Sequence, residues 1–573
     1  MPGYQGPRTR GINTHPIHRI LAWNEGFPGG SCGRTGDKKR RLEDKDLYDF
    51  QHAAAANVVV LCMNVRKYDS IVLGSGIGGL AAAAALARSG RHVLVLEQHF
   101  QLGGLTQTFR RREYTFATGL HYIGGVGETP GPENQFGRML GWLTDGHLLF
   151  ASLGSPYDIV RLPGFEFHVE APRAVYVERL KSLFPGETNE VARYFAACDD
   201  AQRAKVALFA AKAAPAPIAA IMRWFNAKRV RRALAMTTAD AVRNIRDPRL
   251  AALLTARWGD YGIPPVQSPF AIHALVTGSY FHGAYYPVGG SARFAEAMGE
   301  SIRAAGGELR TRAEVTEIRV AGSRVAGVRL AGGESIDAPV VVSAMGARNT
   351  VATLPTDVVP EWRRDVESLK SSVSYVSLYL GLRGDIHAHG ATPANVWVYE
   401  SNDIGRVWER PTEEDAPSLF ISFPSLKDPA HGDPNRHTAE VLALWRWEPF
   451  SAWSDSARER RPEDYEATKA GLGEKLLAQF KRHFPRLAPL IDFREISTPL
   501  TQASFVHADH GAMYGLEMSA ERVNHRALRV RTPVPGLLLA GQDAVSPGIQ
   551  GAFMVGFLAA ASIEPGLWRQ MRP

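Results

Sequence analysis

Residues 68–104 read YDSIVLGSGIGGLAAAAALARSGRHVLVLEQHFQLGG, and the rest of the chain takes its meaning from them. Tyr68 to Leu73 is a short β-branched and apolar run, as a strand buried on both faces of a parallel sheet requires. It ends on Gly74-Ser75-Gly76-Ile77-Gly78-Gly79, a GxGxxG turn from strand to helix. Gly74 permits the tight turn, Gly76 brings bare backbone up to a pyrophosphate, and Gly79 lets the helix pack closely on the strand. The helix N-terminus then offers unpaired N–H groups and a positive dipole end to the phosphates. Alanine-rich Ile77 to Arg88 forms that helix, and Gly90 stands where a left-handed cap closes it. The second strand, His92 to Leu96, delivers Glu97 eighteen residues past Gly79, the distance at which a carboxylate accepts the ribose hydroxyls of an adenosine.

The next residues, Gln98 to Thr106, contain the second glycine pair, Gly103-Gly104, followed by Leu105. The combined pattern, GxGxxG and then GxxVxVLExxxxxGG, resembles the FAD-binding motif of the amine oxidase and phytoene desaturase superfamily. The resemblance implies a Rossmann-like FAD-binding domain of the glutathione reductase (GR) type, an α/β fold. It assigns Gly74, Ser75, Gly76, Gly78, Gly79, Glu97, Gln98, Gly103, Gly104, Leu105 and Thr106 to a non-covalently held FAD. No second GxGxxG occurs, so NAD(P)H has no dedicated domain and stays open as an external electron donor.

With 573 residues, 45% of them hydrophobic and 22% charged, the chain can bury more than one core. Cys32, Cys62 and Cys198 are far apart, which excludes a CxxC dithiol and argues against a disulfide framework. No HExxH or GxSxG is present, and no metal site or activated serine is expected. Residues 1–62 mix Pro, Gly, His and a KKRR run without a helical or strand period. They are expected to be a disordered leader, with Met63 the natural start, and no nucleic-acid role is assigned to the basic run. The leader lacks a secretory signal pattern and its apolar piece is too short to span a bilayer, so the expected location is cytoplasmic or peripheral on a membrane.

Further motifs follow in order: Gly119-Leu120-His121-Tyr122-Ile123-Gly124-Gly125, then Tyr285-Tyr286-Pro287-Val288-Gly289-Gly290-Ser291, then Phe423-Pro424-Ser425-Leu426-Lys427-Asp428-Pro429. Together they resemble the all-trans-retinol 13,14-reductase (retinol saturase) family and the related carotenoid isomerases. The resemblance implies that the segment with His121 and Tyr122 returns to the flavin, making these two the candidate catalytic residues, His121 otherwise being a structural histidine. It also implies that backbone near Val315 holds the adenine. The expected strand Leu309 to Ile318 carries that residue.

Near the C-terminus, Leu537 to Ala540 reads as a buried strand leading to Gly541-Gln542-Asp543. In the superfamily this acid binds the ribityl chain, and the helix beginning near Gly548 to Gly551 faces the flavin pyrimidine, where negative charge grows on reduction. The expected organisation is an FAD domain built from residues 63–150, 285–350 and 511–573. An inserted α+β substrate domain comes from 151–284 and 351–510. Ala204 to Met236 is interrupted by Pro215 and Pro217 and is not a transmembrane helix. Its second half sets Ile218, Ile221, Trp224 and Phe225 beside Lys228, Arg229, Arg231 and Arg232, which suits a helix lying on a membrane surface or a core helix with a basic end.

The activity implied is flavin chemistry on a carbon–carbon double bond of an apolar polyene, a retinoid or carotenoid, with saturation favoured. Isomerisation and desaturation use the same site, and a polyene-binding flavoprotein without turnover is the non-enzymatic alternative.

Overall fold

Five short strands drawn from distant parts of the chain form one parallel sheet in the computed structural model, which describes residues 68–128, 135–405 and 415–570. The leader expected over residues 1–62 lies outside the described residues. Across the sheet the order is Leu537–Leu539, Val341–Ser343, Ser70–Leu73, Val93–Leu96 and Glu308–Arg310. Ser70–Leu73 and its neighbours Val93–Leu96 and Val341–Ser343 are buried along their whole length, hence their apolar sequences, broken only by a terminal serine in two of them. Helix α1 (Ile77–Arg88) leaves the turn so tightly that a Cβ on Gly79 would stand 2.0 Å from the Gly74 carbonyl oxygen. It ends on Gly90 at φ +85°, with the Gly90 N–H donating to Ala87 O and the Arg91 N–H to Leu86 O, a paired cap that satisfies the last carbonyls.

One expected strand is two. Glu308–Arg310 pairs with Val93–Leu96, whereas Val315–Ala321 pairs with Arg324–Leu330 in a separate sheet. Arg312, at φ +53°, turns the chain between them, a left-handed residue that no strand accommodates.

A seven-stranded sheet makes the other layer, in the order Ile491–Ser497, Ser374–Arg383, Arg436–Trp445, Ser418–Ser422, Asn395–Tyr399, Asp158–Leu162 and Phe165–Val169. Only Asn395–Tyr399 and Asp158–Leu162 run parallel. Helix α2 (Thr188–Ala213) and helix α3 (Ala216–Ala235) pack on each other, separated at Pro215, whose ring cannot continue α2. Along α3 only Ala219 and Leu234 are buried. Ile218, Ile221, Trp224 and Phe225 stay 51%, 57%, 74% and 73% exposed, so this face is not a core-packing one. Among the described residues no helix is long and apolar enough to cross a membrane.

Helix α4 (Gly548–Ile563) lies against α1. The approach demands small residues, since a Cβ on Gly556 would come within 2.0 Å of the Gly78 carbonyl oxygen. The starts of both helices are thereby brought to one cavity.

Candidate active site

That cavity has a volume of ≈ 1520 Å³ and a mainly apolar wall. At one end it is backbone and small residues: Gly74, Gly76, Gly78, Gly103, Gly104, Gly541 and Gly551 all reach the wall. Neither α1 nor α4 has a side-chain cap or an acid in its first turn, so the free N–H groups and dipole ends of both face this space. A Cβ on Gly76 would meet no atom within 4 Å, and its bare backbone forms the surface. Glu97, Gln98, Leu105, Thr106 and Val315 line the same end, and Asp543 stands beside Gly541.

Ser75 and Gly79 are off the wall and act behind it. The Ser75 N–H and Oγ–H donate to Glu97 Oε2 at 2.8 and 2.6 Å, and the Gly103 N–H donates to Ser75 Oγ at 3.0 Å. One hydroxyl thus ties the first glycine turn, the acid after the second strand and the second glycine pair together. Asp543 does the same work opposite, its Oδ1 accepting the Leu516 N–H at 2.9 Å and its Oδ2 the Ala347 N–H at 2.8 Å. Two unopposed helix starts, glycine-walled turns and an acid at the second strand end fit an FAD. Gly76, Gly78, Gly103 and Gly104 would hold its phosphates, Glu97 its ribose and α4 its isoalloxazine edge.

The other end of the cavity is aromatic, with Tyr280, Tyr375, Trp397, Phe420 and Tyr514 in its wall. His121 and Tyr122 both reach it. The His121 ring has Nδ1 2.8 Å from Glu440 Oε2, off the hydrogen-bond axis, and its own carbonyl accepts the Lys427 ammonium at 2.8 Å. Tyr122 stacks on Tyr280 with centroids 4.6 Å apart; its hydroxyl donates to Asp260 Oδ2 at 3.1 Å and accepts from Arg257 Nη1 at 2.8 Å. Burial, reinforced by Asp158 and Asp260, pushes the Tyr122 phenol well above its ordinary range. Asp260 also reaches the wall, and burial raises its carboxyl to about 7 against the opposing pull of Arg257.

Over more than half the chain, residues 227–563 match the family model described as flavin containing amine oxidoreductase, and residues 72–133 match the NAD(P)-binding Rossmann-like domain. The all-trans-retinol 13,14-reductase of Rattus norvegicus is 33% identical over 527 residues, 87% of this chain and 86% of that protein. The chain belongs to the all-trans-retinol 13,14-reductase family. It is a flavin-dependent oxidoreductase. The chloroplastic prolycopene isomerase of Daucus carota is 26% identical over 86% of this chain and 78% of its own length. An oxidoreductase crystal structure from Methanosarcina mazei shares the fold at TM-score 0.58, with 16% identity over 87% of this chain and 99% of that one.

In this family member the groups that sequence reasoning missed are the charges around Tyr122, namely Asp158, Arg257 and Asp260, and those beside His121, Lys427 and Glu440. Arg257 Nη2 lies 2.7 Å from Asp158 Oδ2, and Lys427 donates to Asn395 Oδ1 and Ser422 Oγ. The available signal was a pair of ionisable residues, Arg257 and Asp260, set in the apolar run between Leu250 and Ile263.

Proposed function

We propose that this protein saturates one carbon–carbon double bond of an apolar polyene, a retinoid or a carotenoid. One observation carries the reading: the glycine-walled end that fits FAD opens without a break into an aromatic chamber, a single cavity of ≈ 1520 Å³, roomier than the roughly 300–1,000 Å³ of a drug-sized site. Bound FAD, once reduced, supplies a hydride equivalent at its N5 position. The chain's own residues then have three tasks. Tyr280, Trp397, Phe420 and Tyr514 lay the polyene flat and exclude water from it. His121 and Tyr122 are the polar groups beside the double bond and manage the proton. Gly76, Gly103 and the start of α4 hold the cofactor still.

The chamber reaches the surface beside α2 and α3, where Val206 is both part of the wall and 73% exposed. A water-insoluble substrate needs such a route, and the exposed face of α3 would rest on a membrane surface with Lys228, Arg229, Arg231 and Arg232 on anionic headgroups. Electrons come from an external donor, NAD(P)H among the candidates. Similarity to a prolycopene isomerase favours isomerisation as the second reading. One assay separates the two. Enzyme reduced with dithionite is mixed with a retinoid or carotenoid and the product is weighed: two mass units gained is saturation and unchanged mass with altered bond geometry is isomerisation, while two lost in a parallel arm with oxidised enzyme is desaturation.

A further inference from the structure

We propose that Asp260 is the residue that gives its proton to the double bond, with Tyr122 and Arg257 holding its carboxyl in place. This rests on the reduction proposed above.

The geometry is that of an acid kept neutral and ready to be replaced by a stabilised anion. Asp260 follows Trp258 and Gly259 along the cavity wall, and its side chain is 15% exposed. Behind it one guanidinium faces two carboxyls: Arg257 is 2.7 Å from Asp158 and 3.6 Å from Asp260. Asp158, fully buried and also accepting from Asn395 Nδ2, takes the closer share, and Asp260 is left undercompensated. The second basic group, Lys427, is bound to three neutral oxygens, His121 O, Asn395 Oδ1 and Ser422 Oγ, and burial lowers its ammonium to about 7, so it gives Asp260 no full counter-charge; its own titration in the same window is why the Asp260→Asn comparison, and not the wild-type limb alone, assigns the group. The remaining titratable groups facing Asp260 are phenols, Tyr122, Tyr157, Tyr261, Tyr280, Tyr399 and Tyr514. None offers a charge at neutral pH. Burial accordingly carries the Asp260 carboxyl up to about 7. When its proton leaves, the new carboxylate already has the Tyr122 hydroxyl at 3.1 Å and Arg257 beside it. Tyr122 itself is the poorer acid, since its proton is already directed at Asp260.

In the step, the π bond of one C=C breaks. One carbon gains a hydride equivalent from the two-electron-reduced cofactor and the other gains the Asp260 proton. The carboxylate recovers a proton from solvent, and an external two-electron donor, dithionite in the assay, restores the reduced state.

The test uses the FAD-loaded full chain. Wild type, Asp260→Asn, Asp260→Glu, Tyr122→Phe and His121→Phe are reduced and mixed with a retinoid between pH 5 and 9. Wild-type turnover is expected to fall as pH rises through about 7, where the acid form is lost. Asp260→Asn should lose roughly 100- to 10,000-fold and that pH limb, and Asp260→Glu should recover part of both. Tyr122→Phe, which keeps the acid but removes the hydrogen bond that favours its ionised form, should move the limb to higher pH. Infrared titration without substrate reads the same group: a protonated-carboxyl band lost near pH 7 in wild type and absent from Asp260→Asn. Asp260 is overturned if Asp260→Asn keeps the rate and the limb while His121→Phe loses them, if the limb ignores Tyr122→Phe, or if the band survives in Asp260→Asn. A wild type that reduces no polyene refutes the function instead, and does so before any variant is compared.

Discussion

Replacing Trp224 and Phe225 by Ser should detach the protein from membranes without disturbing its fold. The two rings are 74% and 73% exposed and pack edge to face on each other, with centroids 4.7 Å apart, rather than on the core. A large apolar side chain gains about 1.5–3 kcal/mol on full burial. Three-quarters of each ring is still open to solvent, so about 1–2 kcal/mol per ring is available to a bilayer interface. The pair together is worth about 2–4 kcal/mol, or roughly 30- to 1,000-fold in partition, and shallow interfacial insertion favours the lower end. Changing Arg231 and Arg232 to Gln removes about 1 kcal/mol each, only on anionic vesicles and less at high salt. The assay is vesicle flotation of the FAD-loaded protein, with phosphatidylcholine alone and with added phosphatidylserine, across a salt series. Absorbance of the flavin in the floated and residual fractions reports both partition and cofactor retention. Partition unchanged in the Trp224/Phe225 variant, with FAD retained, refutes membrane docking through α3.

Purified protein should be yellow, with FAD released on denaturation. Glu97→Ala should weaken FAD retention because it removes both the ribose acceptor and the anchor of Ser75; dialysis followed by flavin fluorescence measures it. Asp543→Ala should lose FAD and stability together, since the Leu516 and Ala347 N–H groups are left without an acceptor, about 1–3 kcal/mol for each buried amide; parental melting and FAD binding in this variant would show that the two bonds are unimportant. His121→Phe should slow single-turnover reduction by less than the roughly 100-fold or more lost in Asp260→Asn, with an unchanged flavin spectrum. Asp260→Asn should melt higher than wild type, with a gap that depends on pH. The native carboxyl titrates at about 7, above its ordinary value, so the folded state holds an extra proton in between and loses stability as pH rises through that window. The gap between variant and wild type should widen from about pH 4 to 7 and then level off, on the order of a few kcal/mol at most; a gap that is flat with pH would show that the carboxyl is not held protonated.

Some of this was legible in the chain because it is local. A strand ending in GxGxxG dictates its own turn: Gly74 at φ +87° and Gly79 with a carbonyl 2.0 Å from any added Cβ leave no other residue room. Pro215 likewise separates α2 from α3 wherever the pair is placed. The seven-stranded sheet is not local in this sense. Asp158–Leu162 pairs with Asn395–Tyr399 across more than two hundred residues, and nothing in either run names its partner. Arg312 hides the break after Arg310, because an arginine in the left-handed region leaves no composition signal. Exposure on α3 was undecidable for the same kind of reason, since Trp, Phe and Ile at helical spacing look alike facing a core or facing lipid. The buried charges behind the aromatic end of the cavity are the extreme case. Asp158, Arg257, Asp260, Lys427 and Glu440 come from both insertions, and apart from the apolar setting of Arg257 and Asp260 each reads as an ordinary surface charge. What distinguishes them is that the fold removes their water while leaving Arg257 to serve two carboxyls, and that count of charges exists only after the strands have paired. The proposed proton transfer follows from this arrangement, because a carboxyl deprived of both solvent and a full counter-charge keeps its proton at neutral pH and still leaves behind an anion its neighbours can hold.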